Sequence, residues 1–315
     1  MQYQAGCPAS PPPRIVRLGT RGSTLARWQA NWTAEQLQSL GIAAEIVVIQ
    51  TSGDLIQNES IVKIGAQGVF TKEIQRSLLD HRIDIAVHSL KDLPTANVAG
   101  LSLAAVPKRE SYRDAFVSLI AEKIEDLPAG SRIGTGSLRR KTQILHHFGD
   151  RYLVKDIRGN VETRLRKLEQ REYDAIILAE AGLRRLGFAD SIRSFLEPPF
   201  FLPAIGQGAL GWEIRTEDRQ MAELLLPLND ALTFAAVLAE RSMLRELHGG
   251  CSAPIAALGT VNDSTLTLHG RILSLDGRKK FDAAQSVSLS DDPELLGINV
   301  AREAAGKMSG IAKKT

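Results

Sequence analysis

The stretches RIGTGSLRR (Arg132 to Arg140) and KDIRGNVETR (Lys155 to Arg164) each read as a short apolar strand, a glycine turn and a helix that opens among arginines. A helix N-terminus attracts anions through its unpaired N–H groups and the macrodipole, so arginines added there predict a site for a strongly negative ligand. Arginine also binds carboxylates through a planar fork that lysine cannot copy. The chain reads as an α/β protein built to hold several carboxylates or phosphates at once.

Working outward, the same unit recurs. Ile15 to Leu18 is a strand leading into GTRGS, where Ser23 can cap a helix running to about Leu40, with Leu25, Trp28, Trp32 and Leu37 spaced for one buried face. Ala44 to Ile49 reads as a strand, Phe70 to Asp80 as a helix and Ile83 to Val87 as a buried strand. After VPKRESYRD the pattern restarts, with strands at Ala115 to Ile120, Arg132 to Gly134, Tyr152 to Asp156 and Asp174 to Leu178, and helices after Ser137, Asn160 and Glu180. Such alternation predicts mostly parallel sheets with helices on both faces. The proline-rich EPPFFLP leads to a strand at Ala209 to Ile214 that can return to the first sheet.

A third region opens with Asp230 as an N-cap, continues as a helix carrying Leu232, Phe234, Val237, Leu238 and Leu244, and stops at Gly249 and Gly250. Leu266 to Leu273 and Phe281 to Val287 then alternate like antiparallel strands, and Pro293 to Met308 is a last helix. The expected division is a disordered tail at 1–13, a first α/β lobe at 14–107 plus 208–227, a second at 113–202, and a small α+β domain at 230–315.

Composition narrows the function. The 315 residues are 43% hydrophobic and 24% charged, and 39 basic against 36 acidic residues is too even for a general nucleic-acid binder. No apolar run approaches the roughly 20 residues of a membrane span, and the start MQYQAGCPASPPP lacks an export signal's charged region and apolar core, so a cytoplasmic protein is expected. Cys7 and Cys251 offer neither a disulfide framework nor metal spacing, and the adjacent His146 and His147 diverge by about 100° around a helix. No metal site is expected.

Strand-to-helix turns carry arginine at Arg21, at Arg139 with Arg140, and at Arg158 with the neighbouring Arg164, and the carboxyl edges of parallel strands are where open α/β sheets bind ligands. The arginines are therefore expected to converge on a cleft between lobes. DIAVHSLKDLP (Asp84 to Pro94) delivers His88, Ser89, Lys91 and Asp92 into a loop. Asp92 alone is an ordinary turn residue; among cations it can be a general acid or base. Gly134 to Arg139 with Asp156 about 20 residues on also suggests a dinucleotide fingerprint, but Arg139 stands where the third glycine belongs. Cys251 is badly placed for a nucleophile, following a helix C-terminus.

Beyond these readings, LGTRGSTLARWQ, IGAQGVFTKE, DIAVHSLKDLP, GTGSLRR, IRGNVETRL, YDAIILAEAGLRRLG, LPAIGQGALG and HGGCSAP resemble the porphobilinogen deaminase (hydroxymethylbilane synthase) family from Arg14 onward. The resemblance implies two type-II periplasmic-binding-protein-like lobes and a small third domain around a deep cleft. It implies a dipyrromethane cofactor on Cys251 through a thioether, onto which four porphobilinogen units are added head to tail. It makes Asp92 the catalytic group, and assigns Lys91, Ser89, Arg139, Arg140, Thr135 and Ser137 to the cofactor and Arg21, Ser23, Arg158, Arg164 and Arg185 to the substrate. A monomer that passes its product to uroporphyrinogen-III synthase, with no nucleic-acid or membrane partner, is the expected setting. Gln67 where relatives carry lysine, Gly136 for serine and Thr24 for proline are departures. A polycarboxylate-binding solute receptor and a nucleotide-dependent oxidoreductase are the rival readings; the first gives Cys251 no role and the second fails at Arg139.

Overall fold

Strands β1 (Val16–Thr20), β2 (Ala44–Val48) and β3 (Ile85–Ser89) run parallel, and β4 (Leu101–Ala105) joins them only through β10 (Leu210–Arg215), giving the order β2-β1-β3-β10-β4. The second sheet repeats that plan with β5 (Asp114–Ser118), β6 (Arg132–Gly134), β7 (Leu153–Lys155), β8 (Ala175–Ala179) and β9 (Ser194–Leu196) in the order β7-β6-β8-β5-β9. The structure, a computed structural model, describes residues 15–50, 71–248 and 254–312. The tail of residues 1–13, the loop around Gln67, and Gly249, Gly250 and Cys251 lie outside them.

Each sheet contains one reversed strand, β10 in the first and β5 in the second, antiparallel to both of its neighbours. The expectation of mostly parallel sheets needs that amendment. β5 and β10 are the first strands after the chain crosses between lobes, so each enters its sheet from the opposite end. The two crossings touch at Gly208, whose φ of +87° suits glycine and where a Cβ would strike the carbonyls of Glu110 and Ser111.

Helix α1 (Thr24–Ser39) is capped by Ser23, whose Oγ accepts from the N–H of Ala26 at 3.3 Å. Its buried stripe is Gln29, Ala30, Thr33 and Leu37; Leu25, Trp28 and Trp32 are only partly covered, so the helix is rotated from the face expected. Thr33 explains why: its hydroxyl accepts from Nε1 of the fully buried Trp212 on β10 (3.1 Å), satisfying the indole inside the core. Leu25 and Trp28 are thereby turned toward the second lobe. Helix α2 (Lys72–Leu79) packs Ile74 and Leu78 with Ile83 and Ala86 on the opposite face of the first sheet from α1, while α3 (Leu138–Phe148), α4 (Val161–Glu169) and α5 (Glu180–Arg185) follow β6, β7 and β8.

After β10, α6 (Arg219–Leu225) leads to α7 (Ala231–Glu246), which Asp230 caps by accepting from the N–H of Thr233 at 2.8 Å. The antiparallel strands β11 (Ile255–Asn262), β12 (Thr265–Leu273) and β13 (Lys280–Ser288) pack against α7 and α8 (Pro293–Ala312) around Met243, Leu268, Phe281 and Val300. Glu240 of α7 binds both crossings: it accepts from Arg109 in the first and from the N–H of Gly206 (2.6 Å) in the second. Among the described residues no single helix is long and apolar enough to cross a membrane.

Candidate active site

The turn after β1, the end of β3 and the start of α2 border a small open recess in the first lobe, lined by Arg21, Ser23, Gln29, Thr71, His88, Ser89 and Asp92 among others. β3 ends at Ser89 and the chain turns through a single 3-10 turn, Leu90–Asp92, which brings Asp92 out at the rim while Leu90 stays buried. Gln29 on α1 donates to Ser89 Oγ at 2.8 Å. Behind the recess His88 Nε2 lies 3.2 Å from Glu213 on β10, whose two carboxylate oxygens accept from Gln75. Thr71 Oγ1, on the recess wall, is buried with no hydrogen-bond partner among the described residues.

Across the cleft the second lobe presents its cations. Ser137 caps α3, accepting from the N–H of Arg140, and its own N–H donates to Thr135 Oγ1 at 3.2 Å. Arg139 and Arg140 follow, both buried, and the structure gives them a partner that the sequence does not show. Their first counter-ion is internal: Asp114, at the start of β5, accepts from Arg139 Nη1 (2.7 Å) and from Arg140 Nε (2.9 Å). Leu202 and Ile177 carbonyls take further guanidinium N–H groups at 2.7 and 2.8 Å. Burial alone would push the Asp114 carboxyl up; the two guanidinium charges, with hydrogen bonds from Arg139 and Gln207, overcome it and hold the group at about 2. Arg139 Nε remains buried and unpartnered.

Arg158 pairs with Asp156 at 2.7 Å, which occupies the acid that a ribose reading would need. Gly136 serves close approach of another kind: a Cβ there would sit 2.9 Å from the Ile157 carbonyl, so the turns after β6 and β7 abut through it. Arg164 on α4 donates to the Gly159 carbonyl at 2.8 Å. Arg185 lies elsewhere, between lobes, donating to the Gly208 carbonyl at 2.8 Å with its guanidinium 5.7 Å from the Trp28 ring centre.

The two banks sense each other. Burial pushes the Lys91 ammonium below its usual value; Asp92 and Asp114 oppose that, and Arg140 and Arg139 reinforce it. Burial likewise lowers the Arg164 guanidinium to about 10, helped by Arg140 and Arg158 and opposed by Asp156 and Asp92. Lys91 and Asp92 of the first lobe thus share one electrostatic neighbourhood with Arg139, Arg140, Arg158 and Arg164 of the second. Cations outnumber carboxylates there, and Lys91 makes no hydrogen bond or ion pair with the described residues. A ligand bearing several carboxylates fits such a surplus.

Sequence reasoning placed Asp92, Ser89, Lys91, Ser23 and Arg21 in one region and the structure brings them together, with Arg185 at the lobe boundary on the Gly208 carbonyl. It did not find Asp114, Gln29, Gln207 or Glu213. Asp114 left a trace, a carboxylate opening the otherwise apolar run Asp114 to Val117, but nothing in the chain says which cation it meets.

Comparison with known proteins agrees with this geometry. Residues 16–223 match the family described as porphobilinogen deaminase, dipyromethane cofactor binding domain, and residues 234–306 match the porphobilinogen deaminase C-terminal domain. The chain is 49% identical to the porphobilinogen deaminase of Trichlorobacter lovleyi over 90% of its own length and 91% of the relative's. It is 48% identical to that of Gloeobacter violaceus (92% and 90%) and 47% identical to that of Syntrophobacter fumaroxidans (87% and 89%). Among solved structures, the methionine-binding protein MetQ is a distant likeness, at 12% identity and a TM-score of 0.44 over 69% of this chain and 89% of that one.

Proposed function

The chain belongs to the porphobilinogen deaminase family, and from that premise we propose how its residues divide the work. The protein is a transferase of tetrapyrrole biosynthesis, which deaminates four porphobilinogen molecules and joins them head to tail as hydroxymethylbilane. Its first matched region is a dipyrromethane cofactor-binding domain. The cofactor, bound, supplies the primer that the substrate units extend.

The donor set fits that group. Each pyrrole ring of cofactor and substrate carries an acetate and a propionate, and the single observation that carries the assignment is the surplus of cations around Asp92, where Lys91 and Arg139 Nε have no hydrogen-bond partner among the described residues. We assign Lys91, Ser89, Thr135, Ser137, Arg139 and Arg140 to the cofactor's carboxylates, with Cys251 as its attachment. Arg21, Ser23, Arg158, Arg164 and Arg185 take those of the substrate.

Asp92 is the catalytic group in this reading. At the rim of the recess it can deliver a proton to the aminomethyl nitrogen so that ammonia departs, and its carboxylate then stabilises the positive charge left on the pyrrole. Fixed negative charge aimed at that point lowers the barrier without solvent reorganisation. The same group can take the proton released when the ring regains aromaticity. Three units, at 14–107 with 208–227, at 113–202 and at 230–315, are supported by the three separate sheets. We place the enzyme in the cytoplasm as a monomer that hands its product to uroporphyrinogen-III synthase.

Intact-protein mass spectrometry tests the scheme: extra covalent mass maps to the Cys251 peptide and is absent from Cys251→Ala. Asp92→Ala keeps that mass and loses about 10²- to 10⁴-fold in turnover, the range for a general acid. An unmodified chain with full activity overturns the cofactor assignment, and near-normal turnover of Asp92→Ala removes Asp92 from the mechanism.

A further inference from the structure

The segment that delivers Lys91 and Asp92 is fastened at both ends, and the two fastenings come from different units. At its start the Leu90 N–H donates to the Ala209 carbonyl (3.0 Å), a bond to the residue that precedes β10. At its end the fastening belongs to α7. Arg241 donates from Nη1 to the Leu93 carbonyl at 2.9 Å and from Nη2 to the Pro94 carbonyl at 2.7 Å. Val237, one turn earlier on the same face of α7, packs with Leu90, Leu93, Val106 and Ala209. One helix face therefore holds the loop twice, by apolar burial and by a forked hydrogen bond.

The fork matters because of what precedes the proline. Pro94 restricts Leu93 to extended backbone, observed at φ −79° and ψ 119°, so two successive carbonyls face a single planar guanidinium. Lysine could reach only one of them. The charge of Arg241 is also answered locally. Burial lowers its guanidinium to about 10, Glu213 opposes that, Arg245 reinforces it and Glu294 opposes it, so the group is cationic at neutral pH. Glu213 is the carboxylate that meets His88 at the other end of the segment. Arg241, Glu213 and His88 thus bracket the residues between His88 and Pro94.

We propose that Arg241 is a positioning residue for Asp92: by gripping the two carbonyls that follow it, helix α7 sets where the carboxylate stands in the cleft. The inference rests on the reading of Asp92 given above. Its consequence is mechanical. α7 belongs to the C-terminal unit, so the loop bearing the acid is held in place by that unit.

The experiment uses the full-length holoenzyme, with primer loading verified by intact mass. Arg241→Met is expected to speed amide hydrogen exchange in the peptide spanning Leu90 to Pro94 while leaving β3 and α7 protected. It should lower kcat by roughly 10- to 100-fold, the cost of misplacing a reacting group by about an ångström, with KM for porphobilinogen within about threefold. Arg241→Lys, which recovers one carbonyl, is expected to fall between Met and the native enzyme, and it carries the test alone if the Met variant does not fold. In an Asp92→Ala background Arg241→Met should add less than about twofold, because the carboxylate it places is gone.

Unchanged exchange at Leu90 to Pro94 overturns the proposal, as does an unchanged kcat or a full additional loss in the Asp92→Ala background. Should Asp92→Ala by itself keep its turnover, the reading of Asp92 fails, while the exchange measurement still decides whether Arg241 clamps the loop.

Discussion

The turns GTRGS after β1 and GTGSLRR after β6 do the same backbone work in the two lobes and opposite electrostatic work. Each follows an inner parallel strand, each carries a serine that caps the next helix, and each helix packs on a sheet of the same strand order. Two residues past the cap, however, the first lobe has Leu25 and the second has Arg139. The first helix start opens on the recess that holds Asp92, whereas the second is filled by Arg139 and Arg140 over the carboxylate of Asp114. One supersecondary unit can therefore supply a site for a reacting carboxylate or a wall of cations, and the reversed strand decides which. β5 brings Asp114 beneath the arginines; β10 brings Leu210 beside Ser89 at the corresponding edge.

The sharpest way to break this comparison is to remove the carboxylate that makes the second lobe different. Asp114→Asn leaves two buried guanidinium groups without their counter-charge, and breaking a buried pair from one side costs about 3 to 5 kcal/mol. Urea unfolding is expected to show that loss. Arg139→Leu, which strands the carboxylate while Arg140 still pairs with it, should cost less. If Asp114→Asn unfolds like the native chain, the cations are held by the helix and not by β5, and the contrast between lobes is local to the turn.

Why the sequence shows one half of this arrangement and not the other has a physical answer. Strand-turn-helix units announce themselves through glycines, capping serines and apolar runs that are local in the chain, so β1, α1, β6 and α3 are legible, as is the gathering of Ser89, Lys91 and Asp92 on a single loop. Strand direction is not local. Nothing in Asp114 to Ser118 or in Leu210 to Arg215 says that these strands run against their neighbours, because that follows from the chain crossing between lobes. The partners those strands deliver, Asp114 to Arg139 across 25 residues and Glu213 to His88 across 125, are hidden for the same reason. Short strands are a second blind spot. β9 spans Ser194–Leu196, and β4 is an edge strand whose burial does not alternate, so neither offers the period-two signal that identifies a strand. The buried face of α1 is hidden in the sequence because Trp212 selects Thr33 as its hydrogen-bond partner and turns Leu25 and Trp28 toward the second lobe.

Acid offers a smaller and reversible version of the same test. The Asp114 carboxyl is held at about 2 in the fold, against roughly 3.9 for an unpaired aspartate, so the unfolded chain binds the proton first. Its contribution is present in full above about pH 4 and is lost as pH falls toward 2, a depressed carboxylate giving stability that rises with pH. The expected size is about 2.5 kcal/mol. Glu180, held at about 2 despite its burial by hydrogen bonds from Arg113, Ser111 and Arg184, adds a component with the same sign and window. The stability deficit of Asp114→Asn against the native chain should therefore narrow between pH 5 and pH 2. A deficit that stays constant over that range would show that the Asp114 carboxyl titrates alike in the folded and the unfolded chain, and that the arginines do not hold it down.

The capping serines give the finest test, because they probe what the two turns share. Ser23 accepts from the Ala26 N–H at 3.3 Å and Ser137 from the Arg140 N–H at 3.5 Å, both long, so each belongs at the weaker end of the range for caps. Ser23→Ala and Ser137→Ala are each expected to lower stability by about 0.5 to 1 kcal/mol, and Ser→Gly at either position by only a few tenths, since glycine keeps the extended cap backbone open to water. Denaturant midpoints on the four variants measure this. Equal losses mean that the turns are interchangeable as backbone and that the difference between the lobes lies in the side chains past the cap. A loss confined to Ser137 would mean that its hydroxyl also orders Arg140 over Asp114. The second turn would then be shaped by its cations and not merely occupied by them.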